Sequence, residues 1–283
     1  MLVNLKEILE IAEKNNTAIG MFNATGLDSL DAVITAAEEL GQPVIIAHAE
    51  VHNVFNDISL VGPAMVAMAR EAKVPVCVHL DHGTSTEMIY RALRLGFTSV
   101  MIDASHLPYE ENLALTKSIT EIAHSMGVSV EAELGRLVTG EAGSGEDNSH
   151  LRAEDFYTDA DEARAFCEET GVDALAIAFG TAHGFYTKEP KLDFGVIERV
   201  RASTGLPLVM HGGSGVSEEG FKTAIKCGIR KINYYSYMSK AGYMAAKAVI
   251  ESGKTSYLHD VELAAKLAMK EDVKHAISVF AGL

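Results

Sequence analysis

About eight short apolar runs, at 18–23, 44–49, 76–81, 100–104, 128–134, 174–179, 208–211 and 232–235, recur along the chain with helical patterns between them. Runs this short and apolar read as strands buried on both faces, and strands separated by helices lie parallel in one sheet. The helical periodicity is clearest over 86–95, 112–126, 160–169, 194–202 and 218–227. Gly96, Gly127, Gly171, Gly205 and Gly228 stand just past those stretches, where a helix turning back into a strand favours a left-handed residue. Helices are also expected at 1–13, at 28–40 with Asp28 as its cap, and at 60–72. Eight alternations predict an α/β fold, a (β/α)8 barrel, and 283 residues of which 48% are hydrophobic suffice to build one. A single domain over 1–283 is expected, with 236–283 as a C-terminal helical extension whose helices, 236–250 and 261–279, cap the barrel or mediate oligomerisation. The stretch 135–159 is polar, rich in Gly, Glu and Asp, and too long for an ordinary barrel joint, which marks it as a functional or mobile loop.

Net charge is -15 with no basic run, which opposes a nucleic-acid backbone as partner. An anionic substrate must then be held locally, by backbone N–H groups, helix N-termini or a metal. Cys77, Cys167 and Cys227 are scattered in apolar contexts without a CxxC pair, so they read as reduced core residues. The amphipathic N-terminus lacks a basic start, a long apolar stretch and a cleavage site, and no membrane span is visible. The cytoplasm is the expected compartment.

Active groups of a barrel stand at the C-terminal ends of its strands. There the third run ends in His79-Leu80-Asp81-His82-Gly83, the fourth in Asp103-Ala104-Ser105-His106 and the fifth in Glu131-Ala132-Glu133-Leu134-Gly135. The sixth leads through Gly180-Thr181-Ala182 to His183-Gly184, and the seventh into His211-Gly212-Gly213-Ser214-Gly215. Three glycine-flanked histidines, His82, His183 and His211, thus share one rim. Each alone is equally consistent with a satisfied loop histidine; together, neutral imidazoles from separate loops with one position left open suit a catalytic zinc site. His79, deeper in its strand, is expected to be a hydrogen-bonded core residue. Asp81, beside a proposed ligand, suits proton transfer, with orientation of an imidazole as the alternative. Asp103 and Glu133 suit either a second cation or an outer shell.

Gly184, Gly212, Gly213 and Ser214 offer backbone donors and a hydroxyl to an anion, and Asn233 and Ser236 around the end of the eighth run complete the cradle. Asn23, closing the first run, is placed among the substrate contacts. A Schiff-base mechanism would need a desolvated lysine at the mouth. Lys231 precedes the eighth run and is expected toward the opposite end of the barrel, while Lys117, Lys222 and Lys226 lie in helix patterns.

These motifs, with Gly96-Phe97-Thr98-Ser99-Val100-Met101-Ile102-Asp103, resemble the class II, metal-dependent ketose-bisphosphate aldolases over nearly the whole chain. The resemblance implies a lyase of carbohydrate metabolism that cleaves a phosphorylated ketose, such as tagatose or fructose 1,6-bisphosphate, to dihydroxyacetone phosphate and an aldehyde, with a homodimer or homotetramer expected. It implies Zn2+ on His82, His183 and His211 and Asp81 as acid/base toward the C4 hydroxyl. Gly184, Gly212, Ser214, Asn233 and Ser236 match the positions that hold the phosphate end. A loop glutamate, Glu141 or the alternative Glu146, would exchange the proton at C3. The run 187–194 is more similar to the tagatose-type subgroup. Two departures stand out: Asn233-Tyr234-Tyr235-Ser236-Tyr237-Met238 replaces the family's small, Thr and acidic residues, and Ala47-His48-Ala49-Glu50-Val51-His52 stands where a Ser is frequent. His48 and Glu50 either contact an unusual substrate or serve local structure. Another donor or acceptor sugar, or a sugar-phosphate-binding protein with weakened catalysis, are the alternative readings.

Overall fold

The computed structural model describes residues 1–135, 157–186 and 190–283. Eight parallel strands close into a barrel: β2 (Ile19–Asn23), β3 (Val44–Ala49), β4 (Val76–Gly83), β5 (Ser99–Ile102), β6 (Ser129–Leu134), β7 (Ala174–Ile177), β8 (Leu208–Met210) and β9 (Ile229–Asn233). Each pairs with the next in sequence, and β2 pairs with β9 to complete the ring. Outside it, β1 (Leu2–Val3) adds a two-residue parallel pairing to β4, which the sequence pattern does not signal.

Side chains alternate along each strand, so the barrel has two cores. The outward-pointing set, including Val44, Ile46, Val78, Val100, Val130, Leu175 and Ile232, packs under α2 (Leu27–Leu40), α3 (Ile58–Glu71), α4 (Thr86–Leu95), α5 (Tyr109–Ser125), α6 (Ala160–Thr170), α7 (Phe194–Thr204) and α8 (Glu218–Cys227). The inward-pointing set begins at the N-terminal end of the barrel with Ile19, Ile45, Cys77, Ala174 and Val209, closed from below by Leu5, Ile8, Leu9 and Ala12 of α1 (Leu5–Asn15). Complete burial of Leu5, Ile8 and Leu9 contributes roughly 5–9 kcal/mol before entropy is counted. α1 is therefore a plug, fixed at its start by a capping box between Asn4 and Glu7.

Capping follows local chemistry. Ser85, Asp159, Asp193 and Ser217 accept backbone N–H bonds at the starts of α4, α6, α7 and α8, and Gly96, Gly171 and Gly205 end α4, α6 and α7 in the left-handed conformation. Two expectations need correcting. The cap of α2 is Gly26, whose N–H donates to Ser29 Oγ at 3.1 Å; Asp28 falls inside the first turn, where its charge meets the positive end of the helix dipole. β9 begins at Ile229, ahead of the apolar run, with a register shift against β8 between Leu208 and Val209. Lys231 consequently points into the barrel interior and is fully buried, rather than lying toward the opposite end.

The C-terminal helices α9 (Ser236–Ser252) and α10 (Leu258–Ala281) form a hairpin against α2. Lys270 and Lys274 both reach Glu39 at 2.8 Å, and Phe280 packs on Phe221 and Tyr234. No helix among the described residues is long and apolar enough to cross a membrane.

Candidate active site

Strand parity sends one set of polar side chains to the C-terminal mouth: Asn23 from β2, Asp81 from β4, Glu133 from β6, His211 just past β8 and Asn233 from β9. Except for His211, which lies just below the surface, they line a cavity of about 490 Å³ together with His82, Asp103, His183, Gly184, Gly212, Ser214 and Ser236. Every sequence-derived site residue within the described segments is thus brought to one end of one barrel, and of these Gly213, like His211, does not line the cavity. The Gly213 N–H donates to the Asn233 carbonyl at 3.0 Å, which makes it a wall of the loop rather than part of the cradle. Glu141 and Glu146 lie outside the described residues.

The three histidines converge. His82 Nε2 is 3.2 Å from His183 Nε2 and 2.9 Å from His211 Nδ1. Two of the three have their second nitrogen held by a carboxylate: His82 Nδ1 meets Asp103 Oδ2 at 2.6 Å, and His211 Nε2 meets Glu131 Oε1 at 2.9 Å. An imidazole that donates its outer N–H to a carboxylate turns a lone pair toward the cluster, which is how metal-binding histidines are oriented. Lone pairs about 3 Å apart repel unless a cation lies among them, so this donor set fits a divalent metal.

The surrounding carboxylates favour positive charge at the cluster, carried in the metal-free protein by a proton on His82 that a bound cation would displace. Burial disfavours a charged His82, but the carboxylates of Asp81, Asp103 and Glu133 outweigh it and push its pKa up to about 10. For His183 the pull of Asp81 and Asp103 is the weaker effect, and burial with the neighbouring His82 and His211 pushes it down to about 3. Glu133 is raised to about 8 by burial and by Asp103, and its Oε2 is buried without a hydrogen-bond partner. With His82 and Asp103 it forms a second group of ligand atoms within 4.8 Å of one another. That orphaned oxygen fits a second cation or a shared one.

Asp81 sits between two amides: Asn23 Nδ2 donates to Oδ2 at 2.9 Å and Asn233 Nδ2 donates to Oδ1 at 3.2 Å. Burial opposes its ionisation, but His82, His211 and Lys231 hold the carboxyl well below the usual range. Its Oδ1 lies 4.0 Å from His82 Nε2. An ionised carboxylate fixed beside a cation site can move a proton at a substrate oxygen.

Backbone geometry shapes the rim. His82 has φ of 43°, a left-handed conformation unusual for a residue with a side chain. Gly212, at φ 64°, passes so close to the neighbouring loop that a Cβ there would lie 2.2 Å from the Ala182 carbonyl oxygen. Tyr186 ties these loops together, its hydroxyl accepting from Ala182 N and donating to Gly212 O, both at 2.8 Å. Ser214 Oγ accepts from the N–H of Tyr235 at 3.2 Å and so reaches the N-terminus of α9.

The alternatives left for His48 and Glu50 resolve toward local structure. Neither lines the cavity. His48 is fully buried on the outward side of β3, and Glu50 accepts from Thr84 N at 2.7 Å, Ser85 N at 3.1 Å and Ser85 Oγ at 2.6 Å. Glu50 is a strut for the chain following His82. The cavity is instead lined by His52, its ring tilted against Tyr235 with centroids 4.8 Å apart, and by Ser105 and His106. Within the run 47–52 the sequence does not single out His52, because a short 3-10 turn, Glu50–Val54, carries it to the mouth and leaves no periodic signature.

A closed parallel barrel with its reactive groups gathered on the C-terminal strand ends is the architecture of a (β/α)8-barrel enzyme. The chain belongs to the class II fructose-bisphosphate aldolase family, whose description, "Fructose-bisphosphate aldolase class-II", matches residues 3–282. It is 40% identical over 285 residues to the fructose-bisphosphate aldolase of Staphylococcus aureus (strain Mu50), covering 99% of this chain and 97% of that one. It is 41% identical over 283 residues to YdjI of Escherichia coli K12, covering 99% and 98%. The X-ray crystal structure of that YdjI aldolase superposes with a TM-score of 0.87 over 99% of this chain and 97% of the other, at 40% identity. Members of the family are aldolase lyases acting on phosphorylated sugars and are generally metal-dependent.

Proposed function

We propose that this protein is a zinc-dependent aldolase that reversibly cleaves a phosphorylated ketose to dihydroxyacetone phosphate and an aldehyde. The observation that carries the reading is the convergence of three imidazole nitrogens within 4.8 Å of one another beside a carboxylate fixed by two asparagines.

His82, His183 and His211 would hold the zinc, with Asp103 and Glu133 orienting them or serving a second cation. Bound there, the metal would supply Lewis acidity at the ketose carbonyl and stabilise the negative charge that cleavage leaves behind. Gly184, Gly212, Ser214 and Ser236 bind the phosphate, where backbone donors and the N-terminus of α9 favour an anion. Asp81 takes the proton from the C4 hydroxyl as the C3–C4 bond breaks, held in line by Asn23 and Asn233. Glu141 exchanges the proton at C3 of the donor half. His52, Tyr235, Ser105 and His106 meet the aldehyde half and choose among acceptors.

The remaining expectations belong to the same reading. Tyr243, Met244, Ile250, Leu258, Leu263 and Leu267 expose apolar surface on α9 and α10, which supports a homodimer or homotetramer. All three cysteines are free, in keeping with a cytoplasmic location.

Metal analysis combined with a cleavage screen over ketose mono- and bisphosphates tests the proposal. Wild-type protein retains zinc and His211→Ala loses it, whereas Asp81→Ala keeps zinc but loses roughly 10²–10⁴-fold in kcat. A wild-type protein without affinity for divalent metal, or an Asp81→Ala variant with normal turnover, refutes the assignment. Zinc binding without cleavage of any ketose phosphate favours a sugar-phosphate-binding protein.

A further inference from the structure

Beneath the cavity floor lies a fully buried lysine with no place in the mechanism above. Lys231 Nζ is 2.9 Å from Glu131 Oε2 and donates to Asn233 Oδ1 at 2.8 Å. It does not line the cavity, and its ammonium is committed to those two partners, so it is not poised as an imine-forming nucleophile.

Each partner leads to a group at the mouth. An asparagine amide can be rotated by half a turn at little steric cost, exchanging its oxygen for its nitrogen. The Lys231 ammonium can only donate, so it requires Oδ1 of Asn233 and thereby turns Nδ2 toward Asp81. Rotated the other way, Asn233 would present an oxygen to the Asp81 carboxylate. On the other branch, Glu131 offers Oε2 to Lys231 and Oε1 to His211 Nε2, and this second bond turns His211 Nδ1 toward the histidine cluster. One buried cation thus stands at a fork: a hydrogen bond leads through Asn233 to the proposed proton-transfer group, and an ion pair leads through Glu131 to a proposed metal ligand.

We propose that Lys231 is a positioning residue that sets both the amide orientation of Asn233 against Asp81 and the ring orientation of His211 through Glu131. This rests on the roles assigned to Asp81 and His211 in the preceding reading.

The test is a double-mutant cycle of Lys231→Met and Asn233→Ala, read by kcat, KM and zinc affinity in competition with a chromophoric chelator. Lys231→Met is expected to lower kcat about 10²-fold, with KM changed much less. Zinc affinity is expected to fall about 10- to 100-fold through the Glu131 branch. With turnover measured at saturating zinc, which compensates the affinity lost through the Glu131 branch, Lys231 acts on kcat through Asn233, and the double variant should be no slower than Asn233→Ala alone. If Lys231→Met does not fold because it strands the Glu131 charge, Lys231→Met combined with Glu131→Gln removes both charges. Its kcat should then fall well below that of Glu131→Gln alone. Multiplicative kcat losses in the cycle, unchanged zinc affinity in Lys231→Met, or a charge-free pair as fast as Glu131→Gln would each overturn the proposal. A wild-type enzyme that binds zinc but cleaves no ketose phosphate would count against the aldolase reading instead, and the zinc-affinity comparison would then decide the role of Lys231.

Discussion

Replacing Gly212 by alanine separates backbone strain from damage to the site, because a second glycine in the same fold acts as its control. Gly205 has φ of 69° and a Cβ there would meet nothing within 4 Å, so Gly205→Ala incurs only the left-handed penalty. That is about 1–2 kcal/mol, equivalent to roughly 2–8 °C in Tm for a chain of this size. Gly212 has nearly the same φ, 64°, but its Cβ would fall 2.2 Å from the Ala182 oxygen and 2.6 Å from the Ala182 carbonyl carbon. Ordinary contact is about 3.5 Å, so the two loops must separate by about 1 Å. Ala182 precedes His183, and Gly212 follows His211, so the separation pulls two of the three converging imidazoles apart. A displacement of about 1 Å costs on the order of 10²-fold in rate. Thermal denaturation, zinc competition and steady-state turnover measured on both variants provide the comparison. Both should lose stability, but only Gly212→Ala should lose metal affinity and kcat. Equal metal affinity and equal kcat in the two variants would refute the claim that close passage of the loops sets the histidine geometry.

Other consequences can be checked independently. Tyr186→Phe removes the hydroxyl joining Ala182 N to Gly212 O; denaturant titration should register a loss of about 1–3 kcal/mol, and an unchanged midpoint would show that the bridge is dispensable. Glu50→Ala uncaps Thr84 and Ser85, so amide exchange at those residues should accelerate and stability fall by about 1 kcal/mol, while KM stays constant; a KM shift without faster exchange would return Glu50 to the list of substrate contacts. His48 is held down from 6.5 to about 4 by burial, with His52 adding to the effect. Its contribution to stability is therefore complete above about pH 6.5 and is lost as pH falls through 6.5 to 4, by up to about 3 kcal/mol. His48→Leu should flatten the decline of the urea midpoint between pH 7 and 4 relative to wild type, and parallel curves would contradict the assignment.

Much of the architecture was legible because its signals are periodic or positional. Eight apolar runs punctuated by glycine specify a barrel, and a barrel sends whatever ends its strands to one rim, which is why His82, His183 and His211 were found together without any knowledge of distance. Lys231 escapes the sequence pattern for a definite reason: charged residues precede the apolar run, so hydropathy alone starts the strand only at Ile232, although Glu131 across the barrel supplies the partner that lets lysine be buried. The roles of Glu50 and Tyr186 were hidden for a different reason. Each makes its decisive bonds to backbone atoms of another loop, and such bonds carry no residue pattern. His52 combines both difficulties, reaching the cavity from a short irregular turn and meeting Tyr235 across 183 positions of sequence.

The helix that plugs the N-terminal end of the barrel bears on traffic as well as stability. With Leu5, Ile8 and Leu9 sealing the floor, the described residues leave the interior open at the mouth lined by Asp81, His82 and His183. By that route water, ions and protons reach Asp81 and the histidines past the surface proposed to receive the sugar, so a bound substrate would also stopper it. Proton exchange with bulk solvent along it would then be confined to the intervals before a substrate arrives and after a product departs.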